Sequence, residues 1–351
     1  TLKNFYTIIK AMDQYIRFVF ITGISKFSKV GVFSALNNLT DITMNPRFAT
    51  ALGITENELV QNFSGHIDML AIKEQAAAET VALKIRLWYD GFCFVEDCPN
   101  VYNPFSTLNL FYNQRFANYW FETGTPTFLI RLLKEQQYDV ELLGDLRLRE
   151  LAFSSYELES LSIVPLLFQT GYLTIKGYES TTRRFALSYP NAEVEDAFLT
   201  YLLGEFSAHD RGLNEEYLWQ LIDALNARQL AQFMTVLQIF FANVPYNIKH
   251  EKYYQTIFFL IFKLIGLRID AEVYTNQGRI DAVVELENHI FLFEFKLDKS
   301  ADEALQQIKA QDYVHKYCRK GKSITLVGAN FDSTTRQINE WQSEADDITL
   351  Q

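Results

Sequence analysis

Two β-rich runs lying close together constrain this chain most: Gly278-Arg279-Ile280-Asp281-Ala282-Val283-Val284 and Ile290-Phe291-Leu292-Phe293-Glu294-Phe295-Lys296. Between them, Glu285-Leu286-Glu287-Asn288-His289 holds the polar residues suited to a tight turn. The pair predicts an antiparallel hairpin. A two-residue loop at Glu287-Asn288 sets Asp281 directly opposite Glu294; a turn one residue later sets it opposite Lys296 instead. In both registers the period of two puts Asp281, Glu294 and Lys296 on one face, with Phe293 and Phe295 on the other.

Two carboxylates side by side between aromatic strands are costly. Like charges facing each other destabilise a sheet, and a desolvated carboxylate needs a partner. A divalent cation removes the repulsion, and the oxygens of Asp281 and Glu294 suit Mg²⁺ or Mn²⁺. Lys296 adds an ammonium that can orient a water or meet charge developing on a phosphate. The plain structural alternative is an exposed face on which Lys296 merely neutralises the two acids.

An Asp at the start of one strand, followed by Glu-X-Lys on the next, resembles the pattern of the PD-(D/E)XK nuclease superfamily. Here that pattern is Asp281 and Glu294-Phe295-Lys296. The spacing gains weight from its agreement with the predicted hairpin.

The remaining composition limits what such a site could act on. A net charge of -11 is unlike that of a protein coating nucleic acid non-specifically, so binding must rely on a local positive groove or on metal ions. With 48% hydrophobic residues, 29 Phe and 19 Tyr, the chain has ample material for packed cores. Cys93, Cys98 and Cys318 are too few and scattered for a disulfide framework or a structural zinc site. Neither a signal peptide nor an apolar run of about 18 residues occurs, so the expectation is a cytoplasmic protein with no membrane partner. The chain starts at Thr1 within a helical pattern, which suggests a longer parent protein.

Residues 2–15 have helical spacing, and residues 16–23 read as a buried strand of a parallel α/β sheet. Ser25, Lys26 and Lys29 follow its carboxyl end, where open α/β sheets place ligands. A short helix is expected at 32–36, and helices at 48–52, 56–63 and 67–88. Thr55 and Glu58 form a capping box for the third of these four, and Gly91 permits a left-handed residue after the last. Further short helices are expected over 104–111 and 128–134.

Several words in this region are similar to those of the AAA-ATPase-like module of a bacterial ATPase–nuclease family. They are residues 22–29, Leu36-Asn37-Asn38-Leu39, Trp88-Tyr89-Asp90-Gly91-Phe92, Tyr102-Asn103-Pro104-Phe105-Ser106 and Gly124-Thr125-Pro126. In that family the module precedes a PD-(D/E)XK domain, and the resemblance covers roughly residues 1–135 and 245–340. The family's glycine-rich phosphate loop is missing: no G-x-x-x-x-G-K-S/T occurs in these 351 residues. ATP binding is therefore expected only in a complete parent protein, if at all, and ATPase activity is not expected of this chain.

The stretch from 136 to 244 reads as a mostly helical connector, with a small hairpin at 173–178 and 182–187. A helix over 246–265 opens the C-terminal part, and a strand at 268–274 precedes the hairpin. Ser300 caps a following helix to about 317, and residues 322–331 form a strand parallel to the Glu294 strand, with that helix as crossover. Residues 336–341 lead toward the end. The resemblance implies two further site residues: Glu251 as an additional acidic metal ligand, and Gln307 as a positioner of water or phosphate. A helix-terminal Glu and a surface Gln are the plain alternatives. Lys296, Lys299, Lys309, Lys316, Arg319, Lys320 and Lys322 make this part locally basic.

The expected fold is α/β throughout: part of an AAA-like core at 1–135, the helical connector at 136–244, and a restriction-endonuclease-like α/β/α domain at 245–351. The expected activity is metal-dependent hydrolysis of DNA, with RNA as the other nucleic-acid partner. Asp281, Glu294, Lys296 and Gln307 would act in catalysis, and Asp281, Glu294 and Glu251 would hold Mg²⁺ or Mn²⁺. The rivals are a catalytically inactive nucleic-acid or protein binding module and a purely structural interaction protein.

Overall fold

A computed structural model of the chain describes residues 2–23, 39–123, 127–153, 162–244, 251–268, 272–275, 280–310 and 321–346. The chain divides into two compact units, Thr1–Phe198 and Leu199–Gln351.

The first unit opens with α1 (Leu2–Ala11). The buried strand expected at 16–23 does not form: the segment pairs with no strand among the described residues. Phe18 is 78% and Tyr15 74% exposed. A strand of a parallel sheet needs neighbours for its amides and cover on both faces, and no described element supplies either. Ser25, Lys26, Lys29 and the short helix expected at 32–36 lie outside the described residues. The helix expected at 48–52 is instead a single 3-10 turn, Pro46–Phe48, capped by Asn45.

The capping box does form. Thr55 Oγ1 accepts from the Glu58 amide and Glu58 Oε2 accepts from the Thr55 amide, opening α2 (Glu56–Glu74). The helical pattern of residues 67–88 is broken at Gln75, where φ is 54°, and α3 (Ala78–Tyr89) begins anew. The break lets two apolar stripes fold onto each other, burying Ile67 and Leu70 together with Val81 and Ile85. Gly91 follows α3 with φ +98°; a Cβ there would also meet the Pro190 carbonyl oxygen at 2.1 Å. Asn103 then caps α4 (Pro104–Asn113), whose first turn accommodates Pro104 without losing a hydrogen bond.

After α5 (Thr127–Glu135) the chain forms β1 (Leu146–Leu148), α6 (Ile163–Gln169), β2 (Thr174–Glu179) and β3 (Arg184–Ser188). The expected hairpin is β2–β3, and β1 joins it in the order β1-β3-β2. Three residues are too few for β1 to show a period, which is why sequence reading passes over it.

Helix α7 (Ala192–Ser207) contributes to both units and leads to α8 (Arg211–Asn226), α9 (Leu230–Ala242) and α10 (Glu251–Arg268). There follow β4 (Glu272–Thr275), β5 (Ile280–Glu285), β6 (His289–Leu297), α11 (Ala301–Ala310), β7 (Ser323–Asp332) and β8 (Gln337–Asp346). The sheet order is β4-β5-β6-β7-β8. Only the β6–β7 pair is parallel, and α11 is its crossover, as expected.

Alternation along β6 builds three layers. Phe293 and Phe295 face α9 and α10, with Phe293 5.3 Å from Phe233 and Phe295 4.0 Å from Phe258. Ile290 and Leu292 turn the other way, joining Ile324 and Leu326 beneath Leu305 and Ile308 of α11. Arg268 closes α10 onto α8 through two bonds to Glu215, at 2.5 and 2.7 Å. Strand β8 was not foreseen: its exposed edge is polar enough to lack alternating apolar residues.

Candidate active site

The turn between β5 and β6 decides the register. The Leu286 amide donates to the His289 carbonyl at 2.8 Å, closing a two-residue loop of Glu287 and Asn288. Position 281 therefore stands directly across from Glu294, and the alternative pairing with Lys296 does not occur.

Glu294 is only 1% exposed. A carboxylate so far from water requires compensation, and Lys296, two residues along the same face, supplies part of it. Lys296 Nζ donates to Glu294 Oε1 at 2.6 Å and also to Gln307 Oε1. The Lys296 side chain retains 15% exposure, so its ammonium sits where the buried pair meets the surface.

Helix α11 holds Gln307 in place. Ser300 accepts from the Glu303 amide at 3.1 Å, and Glu340 Oε2 accepts from the Ala301 amide at 3.2 Å. Asn330 secures the chain just before α11, accepting from the Lys299 amide at 2.8 Å while donating to Asn339. Sequence reading missed Asn330 and Glu340; the signal available was an Asn within an otherwise apolar strand.

His289, at the other end of β6, is 8% exposed and lies between Ser323 Oγ at 2.6 Å and Thr325 Oγ1 at 2.9 Å. Burial, aided by the positive charge of Arg228, holds its imidazole below the ordinary 6.5.

The family model described as the PD-(D/E)XK nuclease superfamily matches residues 249–341, which span α10, β4 to β7, α11 and the first half of β8. The chain carries a PD-(D/E)XK nuclease superfamily domain over residues 249–341. Residues 1–33 match the family described as Predicted AAA-ATPase, so both domain types are present. The chain is 36% identical over 348 residues to the "Uncharacterized protein in vnfD 5'region" of Azotobacter chroococcum mcd 1. The match covers 96% of this chain and 65% of the length of that relative. No solved structure matches. Among the described residues, no helix is long and apolar enough to cross a membrane.

Within the PD-(D/E)XK domain the structure brings together Glu294, Lys296 and Gln307, and places the backbone of Asp281 opposite Glu294. Glu251 begins α10, but its side chain and that of Asp281 lie outside what is described. Among the described residues no group of three or more His, Cys, Asp or Glu side chains could hold a metal ion. Asp281 and Glu294 are of a residue type that supplies oxygen ligands to hard cations, and Glu294 Oε1 accepts from Lys296.

The locally basic surface expected around this domain is corrected in its described part. Lys296 pairs with Glu294, Lys299 with Glu303, Lys309 with Glu344, and Lys322 with Glu285. Each amine has an acid within 4.0 Å, so the positive field they project is largely cancelled. Lys316, Arg319 and Lys320 lie outside the described residues.

Proposed function

We propose that the PD-(D/E)XK domain hydrolyses phosphodiester bonds in DNA with the aid of Mg²⁺ or Mn²⁺. The observation carrying this reading is the meeting of Glu294, Lys296 and Gln307 across from position 281. Asp281 and Glu294 would hold the cation, joined by Glu251 and the Phe295 carbonyl. A divalent cation there supplies Lewis-acid activation of a water and of a phosphoryl oxygen.

The chain's own groups account for the remainder. An ammonium has three N–H donors. Lys296 directs one to Glu294 and one to Gln307, leaving a third for the phosphoryl oxygen on which negative charge grows. Glu294 keeps that ammonium at the inner end of the site. In the net reaction a water oxygen bonds to phosphorus, the ester P–O bond breaks, and the departing oxygen takes up a proton.

The functional division 1–135, 136–244 and 245–351 belongs to the same proposal, as does control of cleavage by a complete ATPase module in a longer parent. The compact unit holding the third segment begins earlier, at Leu199.

The test is incubation of the purified chain with duplex DNA in Mg²⁺, in Mn²⁺ and in EDTA. Cleavage is expected with either metal and not in EDTA. Asp281→Ala and Lys296→Ala are expected to abolish it while the circular dichroism spectrum is retained. An Asp281→Ala protein that cleaves like the parent would overturn the reading. The 1% exposure of Glu294 favours a second reading, a catalytically silent nucleic-acid binding module. DNA binding without cleavage in any metal would establish that instead, and faster turnover of RNA would reassign the substrate.

A further inference from the structure

We infer that Cys93 and Cys98 are a redox-active pair, in which Cys98 is oxidised by a hydroperoxide and Cys93 closes onto it as a reversible disulfide. The inference is independent of the hydrolase reading.

The backbone pins one of the two thiols and sets the other on an exposed loop. Phe92 and Val101 exchange both backbone hydrogen bonds, at 3.2 and 3.0 Å, so residues 93–100 form the loop between them. At its start, the Cys93 carbonyl accepts from the Ile175 amide at 2.9 Å and from Thr174 Oγ1 at 2.6 Å. Asp97, with φ 56°, turns the chain back just before Cys98. Glu96, Asp97, Pro99 and Asn100 are exposed, so this arm of the loop can shift without disturbing a core.

That turn returns Cys98 to Cys93. Cys93 Sγ donates to the Val95 carbonyl at 3.0 Å and lies 3.7 Å from the Cys98 carbonyl oxygen. A residue's Cα stands about 2.4 Å from its own carbonyl oxygen, which puts the Cys98 backbone beside the Cys93 sulfur. A disulfide asks for Cα atoms about 4.4–6.8 Å apart, within reach of a small shift of the exposed arm. Among the described residues no group of three or more His, Cys, Asp or Glu could hold a metal ion, so these supply no further ligands that would make the two thiols a metal site.

Exposure divides the labour. Cys98 is half-buried, whereas Cys93 is 8% exposed, and the accessible sulfur meets the oxidant first. Burial pushes the Cys93 thiol up, against its bond to Val95, while the nearby Lys176 ammonium favours the thiolate. The Cys98 sulfur attacks one peroxide oxygen, the O–O bond breaks, and the other oxygen leaves as water, carrying the thiol proton. The Cys93 sulfur then attacks the resulting sulfenic acid, the S–S bond forms, and the hydroxyl departs with the Cys93 proton as a second water. Two thiols and one hydrogen peroxide thus become one disulfide and two waters.

The test uses the whole chain, reduced and freed of reductant, exposed to hydrogen peroxide, blocked with N-ethylmaleimide and digested with trypsin. Residues 87–115 form one tryptic peptide that contains both cysteines. Before peroxide it should carry two maleimide adducts. Afterwards it should carry none and weigh two hydrogen atoms less, and dithiothreitol should restore both adducts. Cys93→Ser should leave Cys98 as a sulfenic acid captured by dimedone, and Cys98→Ser should leave Cys93 an unmodified thiol.

Two adducts persisting after peroxide, or oxidation of Cys98 to sulfinic acid with no bridge, overturns the inference. So does a bridge from either cysteine to Cys318 or to a second copy of the chain. Capture of Cys93 by dimedone in Cys98→Ser overturns the division of roles. Mapping of the parent chain decides whether the bridge forms, even where a variant fails to fold.

Discussion

Gly328 of β7 approaches Ala301 of α11 so closely that a methyl group on Gly328 would lie 2.4 Å from the Ala301 carbonyl oxygen. The same methyl would stand 2.9 Å from the Leu305 amide nitrogen. Because Gly328 is the parallel-strand partner of Glu294, this approach sets how near α11 comes to the site.

Gly328→Ala therefore has to push backbone, not a flexible side chain. The expected cost is roughly 1–3 kcal/mol of stability, read as a lower midpoint in urea unfolding. Cleavage should fall as well, because the helix being displaced carries Gln307. An unchanged midpoint would show that α11 tolerates the added carbon and is not seated as described.

The two-residue loop makes a second prediction. Inserting one glycine between Glu287 and Asn288 slips β5 against β6, and a one-residue slip exchanges the faces of a strand. Asp281 would no longer stand across from Glu294. Cleavage is expected to drop about a hundredfold or more, assayed beside Asp281→Ala. Activity near that of the parent would mean that position 281 is not part of the reacting group.

Phe233 of α9 is 0% exposed and lies 5.3 Å from Phe293 and 6.0 Å from Phe262. It thus completes the core beneath β6 from outside the segment 245–351. Phe233→Ala should cost about 3–5 kcal/mol. A fragment of residues 199–351 is expected to unfold cooperatively, whereas 245–351 alone should not. Cooperative unfolding of the shorter fragment would show that α9 is dispensable.

His289 gives a dependence on pH. Its folded imidazole titrates below 6.5, so between that lower value and 6.5 the unfolded chain binds more protons. Stability from this group is full above about pH 7 and is lost as pH falls from 6.5 through the lower folded value. His289→Gln should flatten that acid slope in urea unfolding between about pH 5 and 7. A slope identical to the parent's would assign it to other groups.

Much of this was readable in the amino-acid order. Thr55 and Glu58 announce the start of α2, and Asn103-Pro104 the start of α4, because caps act within one turn of chain. The aromatic alternation along β6 announces a strand with one apolar face. Residues 16–23 carry an equally apolar pattern and form no strand, because that pattern states a need for neighbours without providing them. Strand β8 is the converse, a polar segment made a strand by the β7 edge beside it.

The order of residues alone determined that a hairpin joins positions 281 and 294–296 and which side chains of β6 share a face, since both follow from short-range turn chemistry and a period of two. The turn bond chose between the two registers, and tertiary structure decided the burial of Glu294 and the sharing of Lys296 between an acid and the amide of Gln307. Those outcomes depend on α11, which carries Gln307 eleven residues beyond Lys296, settling against a neighbouring strand. Local preference carries no information about where such distant atoms meet; packing does.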